Sequence, residues 1–293
     1  SRPHRLLRDN PDEIQARPLI MLLQRVVTAL LLLPLLLGAI FYAPTPWLYV
    51  ILGAAGLLIA WEWTGIMGLT GKTPQRALYL LLTAGLLAAG WWLPVALRCG
   101  LFAVAGLWWL LALALLPGFP GNFQRRPPAK ILMGLLGLLL IVSTLLALVT
   151  LHAGANGALK LLYLFFLIFA ADTGAYLAGR NFGKHKLAPN VSPGKTVEGA
   201  LGGLLLCAAW SLTAGMWVFE PQGAMIWQLL ALSLLVAVFS IVGDLTESMF
   251  KRVAGLKDSG NILPGHGGIL DRADSLLAAA PIMVLGLQLL HLS

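Results

Sequence analysis

Residues 131–159, ILMGLLGLLLIVSTLLALVTLHAGANGAL, contain no Asp, Glu, Lys or Arg. About 20 apolar residues suffice for a helix to cross the hydrocarbon layer, and a backbone inside lipid must satisfy its own N–H and C=O groups. A run of this length and polarity therefore reads as a membrane-spanning helix. Working outward, the same lack of charge recurs at residues 26–61, 77–97, 99–124 and 221–243. Composition agrees: 59% of the 293 residues are hydrophobic, 11% are charged, and the mean hydropathy is +0.85. A water-soluble fold with so few charges could not cover its surface.

Assigning each apolar run to a helix predicts an all-α polytopic integral membrane protein with about nine transmembrane helices. The expected spans are 22–42, 46–67, 77–94, 97–116, 131–152, 157–179, 198–219, 224–247 and 274–292. Pro44 with Pro46, Pro94, Pro117 with Pro120, and Pro221 stand where turns are needed. The basic residues test this count, because nine spans put alternate loops on opposite sides. With the N-terminus cytoplasmic and the C-terminus on the other side, all of the 20 Lys and Arg fall on the cytoplasmic side except Arg98 and Lys160. The formal charge of +8 is thus a topology signal, and no nucleic-acid partner is expected. Cys99 and Cys207 lie in different apolar runs and read as small packing residues.

Residues 1–20, with four Arg, three Pro and no apolar period, read as a cytoplasmic N-terminal extension, with a disordered tail as the alternative. Residues 21–155 form the expected scaffold of membrane helices. Residues 156–293 are the expected catalytic part, because of where the acids fall. Asp9, Asp12, Glu13 and Glu62 are the only ones of the 12 before Asp172. An Asp inside a span costs about 3 kcal/mol on insertion scales, so several near one depth require a cation, a metal ion or water as compensation. Glu62, between Trp61 and Trp63, is expected to snorkel or to pair with Lys72 or Arg76.

Asp244, Glu247, Ser248 and Lys251 recur at helical spacing and share one face. Asp271, Asp274 and Ser275 do the same where the ninth helix begins. Oxygen ligands from two helices suit Mg²⁺ or Mn²⁺; the alternative is a set of salt bridges and a helix cap, with Asp271 pairing Arg272 or Lys257. Between these acids, residues 257–268, KDSGNILPGHGG, are built like an anion cradle. Gly265, Gly267 and Gly268 would let backbone N–H groups approach phosphate oxygens, beside Lys251, Arg252 and Lys257. An ordinary Gly-Pro turn with basic anchors to lipid headgroups is the other possibility. His266 is a candidate acid, base or phosphate donor, or a structural histidine. The loop at 180–195 is a second basic platform. Its end, Ser192-Pro-Gly-Lys-Thr196, departs from a P-loop because Pro189 stands where glycine is required. Lys195 and Thr196 either contact phosphate or start and cap the seventh helix. Lys184, His185 and Lys186 are equally explained as ordinary cytoplasmic-side residues.

The run Ser248-Met-Phe-Lys-Arg252, four residues, Lys257-Asp-Ser-Gly260, two residues, then Leu263-Pro-Gly-His-Gly-Gly-Ile-Leu-Asp-Arg-Ala-Asp274 resembles the signature of the phosphatidate cytidylyltransferase family. Residues 171–176, ADTGAY, and 182–199, FGKHKLAPNVSPGKTVEG, resemble that family's other loop. Ala273 stands where the family usually has a larger apolar residue, and residues 1–20 extend beyond its usual start.

The resemblance implies transfer of a cytidylyl group from CTP to phosphatidic acid, giving CDP-diacylglycerol and pyrophosphate. It also implies Mg²⁺ with a second cation alongside, a homodimer, and a multi-pass protein of the bacterial inner membrane with its site facing the cytoplasm. Carried onto this chain, Asp244, Asp271, Lys257 and His266 are the expected catalytic residues. Lys195, Thr196, Lys251, Arg252, Asp258, Gly267, Gly268 and Arg272 are expected to bind substrate. Asp244, Ser248, Asp271, Asp274 and Asp172 are the expected metal ligands, with Asp244 and Asp271 sharing the ion. A lateral opening for acyl chains is expected. A CTP-dependent lipid kinase of the polyprenol type would need the same parts. A proton-coupled transporter would bury the same acids but would need no Gly-His-Gly-Gly loop.

Overall fold

The computed structural model describes residues 30, 33–69, 71, 73–125, 128–262 and 267–292. Helices α1 (Leu33–Tyr42), α2 (Thr45–Ile66), α3 (Pro74–Trp91) and α4 (Val95–Leu115) lead into a short α5 (Gly121–Arg125) and the long α6 (Lys130–Ala153). Helix α7 (Gly157–Phe182) is followed by a hairpin of β1 (Lys186–Ala188) and β2 (Ser192–Thr196), then α8 (Val197–Trp210) and α9 (Met216–Phe219). Helices α10 (Met225–Val253) and α11 (Leu270–Leu289) complete the chain. A described helix lies in each of the nine predicted stretches, and six of these segments are long and apolar enough to cross a membrane. They are α2, α4 with its 3₁₀ end, α6, α7, the α8–α9 segment and α10. The expected N-terminal extension, residues 1–20, lies outside the described residues.

Proline and hydroxyl residues set the helix starts. Pro44 and Pro94 occupy the N-cap positions of α2 and α4, where the missing N–H leaves no bond unmade. Thr73 caps α3 through the Arg76 N–H, and Thr196 caps α8 through the Gly199 N–H at 3.1 Å.

The uncharged run that begins at Ile131 becomes the central helix. Helix α6 buries most of its residues and packs against α2, α3, α4, α7 and α11. Lipid offers little hydrophobic drive for such contacts, so polar pairs matter. Pro281 interrupts α11 and has no N–H to give the carbonyl of Leu277, one turn back. The buried hydroxyl of Thr144 on α6 donates to that carbonyl instead, at 3.2 Å. Thr144→Val keeps the shape and removes the donor. It is expected to lower stability by about 1 kcal/mol, read as a lower melting temperature in detergent, and an unchanged melt would contradict this role.

Two features differ from the sequence expectation. The basic loop after α7 contains a two-stranded antiparallel hairpin in which Lys186 pairs with Thr196 and Ala188 with Ser192. A three-residue strand carrying Pro193 on its partner is too short to give an alternating pattern. Helix α10 also runs to Val253, past the expected end at 247, so Lys251 and Arg252 belong to the helix and not to a loop.

Arg98 and Lys160, the two exceptions to the expected charge bias, are both tied to backbone carbonyls. Arg98 donates to Leu93 O at 3.0 Å and Trp91 O at 2.8 Å, satisfying the end of α3. Lys160, 6% exposed, donates to Leu292 O at 3.0 Å beyond α11. Both have structural reasons to depart from the charge bias.

Candidate active site

Helices α10 and α11 run antiparallel and very close. A Cβ placed on Gly243 would stand 2.6 Å from the carbonyl oxygen of Asp274, so only glycine permits this spacing. One turn forward on α10 is then one turn back on α11. Asp244 is level with Asp274, while Lys251 and Glu247 are level with Asp271.

This register redistributes the acids predicted to share an ion. Asp244 lies within Coulombic reach of Asp274 on α11 and of Asp172 on α7. Its Oδ2 is 2.6 Å from Lys195 Nζ, and its Oδ1 accepts from Ser248 Oγ at 3.4 Å. Asp271 stands at the other end of the row. Lys251 Nζ lies 2.6 Å from its Oδ1, the Ser259 N–H approaches both oxygens at 3.1 Å, and the Gly268 N–H donates to Oδ2 at 2.8 Å. A carboxylate offers about four acceptor positions, and these contacts occupy them. Asp271 therefore anchors the loop and the start of α11, while Asp244 has Asp274 and Asp172 as its acidic neighbours.

Glu247, which the sequence reading placed on the right face and then left out of the site, is 3% exposed and joins the row. Its Oε2 lies 2.6 Å from Lys251 Nζ. The offset of three from Asp244 already carried that signal. Lys251 is buried between two carboxylates and serves them first, although the sequence assigns it to phosphate. Arg252, Lys257 and Asp258 are exposed on the same end of the molecule, and the Arg252 guanidinium donates to Leu256 O at 3.4 Å. Gly267 takes a positive φ of 79°, as a tight turn before α11 requires. His266 lies outside the described residues, as does Lys72.

Glu62 does not snorkel. It is 2% exposed, and its carboxylate turns inward to accept from Ser259 Oγ, Ile269 N and Leu270 N. Arg76, its expected partner, stacks its guanidinium 3.4 Å over the Trp61 ring and donates to the carbonyls of Trp61 and Gly71. Capping a helix end and covering an indole suit an arginine there, whereas on the inner face of α2 Glu62 meets three donors from residue 259 and the start of α11. In the second basic loop, His185 Nδ1 lies 2.5 Å from Glu198 Oε1, at hydrogen-bond distance. Glu198 also accepts from the Lys184 and His185 N–H groups, so this part of the loop is fastened to α8.

Two cavities meet at Asp172. The first, about 380 Å³, is lined by Arg180, Gly194, Lys195 and Thr196. The second, about 400 Å³, is apolar, with Leu52, Ile141, Leu145, Phe169 and Leu276 along its wall and Arg272 beside Asp172. Asp172 and Arg272 are within Coulombic reach of one another. A chamber carrying Arg180 and Lys195 thus opens beside a hydrocarbon-lined one, with Asp172 where the two join.

Comparison with known proteins matches the cytidylyltransferase family model to residues 23–290. The chain is similar to the phosphatidate cytidylyltransferase of Pseudomonas aeruginosa, with 43% identity over 270 residues that cover 89% of this chain and 95% of that protein. It is also similar to the phosphatidate cytidylyltransferase of Haemophilus influenzae, with 37% identity over 289 residues covering 89% of this chain and 96% of that protein.

Proposed function

The chain belongs to the cytidylyltransferase family, and we infer from that membership that it is a membrane enzyme joining CTP to phosphatidate, with CDP-diacylglycerol and pyrophosphate as products. The observation in the fold that favours this chemistry is the junction at Asp172. A lipid phosphate with two acyl chains needs a polar head position continuous with an apolar slot, and the two cavities supply both. We propose that the chains enter from the bilayer beside Phe169 and Leu276. Arg272 then meets the phosphatidate head, and Lys195 with Arg180 faces the nucleotide phosphates.

A phosphatidate oxygen attacks the α-phosphorus of CTP and pyrophosphate leaves from the opposite side. Phosphatidate is already largely ionised at pH 7, so no general base is needed and the protein's task is positioning and charge neutralisation. The donor set around Asp172 and Asp244 fits Mg²⁺, with Mn²⁺ as a substitute and a second cation alongside. Asp244, Asp274, Asp172 and Ser248 offer only oxygen, and among the described residues no three carboxylates by themselves make a closed cage. An ion held by one or two carboxylates, waters and substrate phosphates is what this metal prefers. When bound, it would neutralise the triphosphate and make the α-phosphorus more electrophilic. Lys195, 2.6 Å from Asp244, is placed to exchange that partner for a phosphate oxygen as the nucleotide arrives.

The same reading includes nine spans with the N-terminus cytoplasmic, a bacterial inner-membrane location, a site facing the cytoplasm, and a homodimer. The charge bias of the loops and the bacterial relatives support the first three.

Label position tests the reaction. Purified protein in mixed micelles with phosphatidate and Mg²⁺ is expected to move label from the α-phosphate of CTP into lipid and to release label from the γ-phosphate as pyrophosphate. Entry of γ-label into the lipid would replace this reading with that of a lipid kinase. Chelation of divalent cations is expected to stop the transfer and re-addition of Mg²⁺ to restore it.

A further inference from the structure

Helix α11 begins without a side-chain cap of its own: Ile269 occupies the N-cap position and bonds no N–H through its side chain. The first N–H groups of a helix need acceptors, and its N-terminal dipole favours a negative charge. The acceptor here comes from α2, some two hundred positions earlier in the chain. Glu62 Oε1 takes the Ile269 N–H at 3.1 Å, and Oε2 takes the Leu270 N–H at 2.7 Å and the Ser259 hydroxyl at 3.1 Å. Two glycines record how closely the carboxylate approaches. A Cβ on Gly260 would collide with Glu62 Oε1, and one on Gly268 would stand 2.5 Å from Oε2 and overlap Ser259 Oγ.

Ser259 is held twice. Its hydroxyl goes to Glu62 and its N–H to Asp271, which also takes the Gly268 N–H. The two carboxylates therefore fasten residue 259 to residues 268–270, so that both ends of the intervening loop are drawn to one point. The exposed Lys257 and Asp258 leave from that point on one side. Arg272 and Asp274 leave on the other, along the first turn of α11.

We propose that Glu62 is a positioning residue for the transfer reaction: from the scaffold helix α2 it fixes Ser259, next to Lys257 and Asp258 of the phosphate cradle, and the α11 turn that carries Arg272 and Asp274. The proposal rests on the reading of that loop as the nucleotide's phosphate cradle. Glu62 does not touch substrate; it acts through Ser259 and the α11 amides.

Glu62→Gln is the sharpest variant, because it keeps the shape but puts an NH₂ group where one of the two carboxylate oxygens accepts, leaving at least one of the three donors without its acceptor. In the purified full-length enzyme it is expected to raise the KM for CTP about tenfold, the effect of losing one hydrogen bond to a charged group. The KM for phosphatidate should rise as well, because Arg272 rides on the same α11 turn, and the melting temperature should fall modestly as a buried donor loses its acceptor. Amide exchange at Ile269 and Leu270 is expected to quicken. Ser259→Ala, which leaves both amide bonds in place, should raise the CTP KM less, and should add nothing in the Glu62→Gln background. If Glu62→Gln fails to fold, Ser259→Ala decides: a raised CTP KM supports the proposal and an unchanged one overturns it. A working enzyme whose CTP KM and kcat ignore Glu62→Gln overturns this proposal alone, whatever the exchange rates do. An unsubstituted protein that transfers no α-label takes down the cytidylyl reading and the proposal with it.

Discussion

Asp274→Asn is expected to cut cytidylyl transfer by about 10³-fold, or about 4 kcal/mol of barrier, while the protein melts no lower than before. Asp274 faces Asp244 and Glu247, Asp244 faces Asp172, and Glu247 faces Asp271. Five carboxylates thus form a row that Lys195, Lys251 and Arg272 offset only in part. Like charges at such spacing repel most where water is scarce, so a chain selected for stability alone would not keep them. Replacing one of these crowded acids with an amide removes a group that is costly to ionise there but takes away an oxygen that the incoming cation and triphosphate need. Activity and stability should therefore move in opposite directions, the sign expected when a site is strained for function. Asp244→Asn should lose activity to a similar degree, and with it the partner of Lys195 at 2.6 Å. The test pairs initial rates at saturating CTP with melting curves in the same detergent. An Asp274→Asn protein that melts much lower yet turns over normally would make the row a structural salt-bridge network instead.

Much of this arrangement could be read from the chain. Uncharged runs located the helices because lipid leaves a backbone almost no other choice. Helical spacing put Asp244, Glu247, Ser248 and Lys251 on one face. What spacing cannot supply is the register between two helices. The glycine at 243 sets it, and it brings Asp274, one turn past Asp271, opposite Asp244. Glu62 was misread for a related reason. Its neighbours in sequence are two tryptophans near the membrane surface, which suggest an outward-facing charge, whereas its three donors lie about two hundred residues away. The hairpin after α7 escaped notice because two short strands carry too little pattern. Arg98 and Lys160, the two exceptions to the charge bias, needed coordinates to reveal that each closes off exposed carbonyls.

Lys251→Met is expected to have the opposite signature to Asp274→Asn and to destabilise the protein by about 3–5 kcal/mol, the usual cost of leaving a buried charge without its partner. Lys251 is buried with its ammonium 2.6 Å from both Glu247 Oε2 and Asp271 Oδ1. Methionine fills the same volume without charge, so Glu247 and Asp271 would face one another uncompensated. Against a total stability of about 5–15 kcal/mol, that loss should show as poor yield and a much lower melting temperature. A pair of further variants separates charge from packing. Glu247→Gln in the Lys251→Met background removes one of the stranded charges and is expected to recover part of the lost stability. Lys251→Arg keeps the charge but forces a wider group into the slot, so it should fall between the unsubstituted protein and Lys251→Met. If Lys251→Met melts like the unsubstituted protein, or Glu247→Gln restores nothing, then Lys251 is not what allows two carboxylates to sit together at this depth. The separation of duties between Lys251, which steadies the acids, and Lys195, which can leave Asp244 for a phosphate, would fail with it.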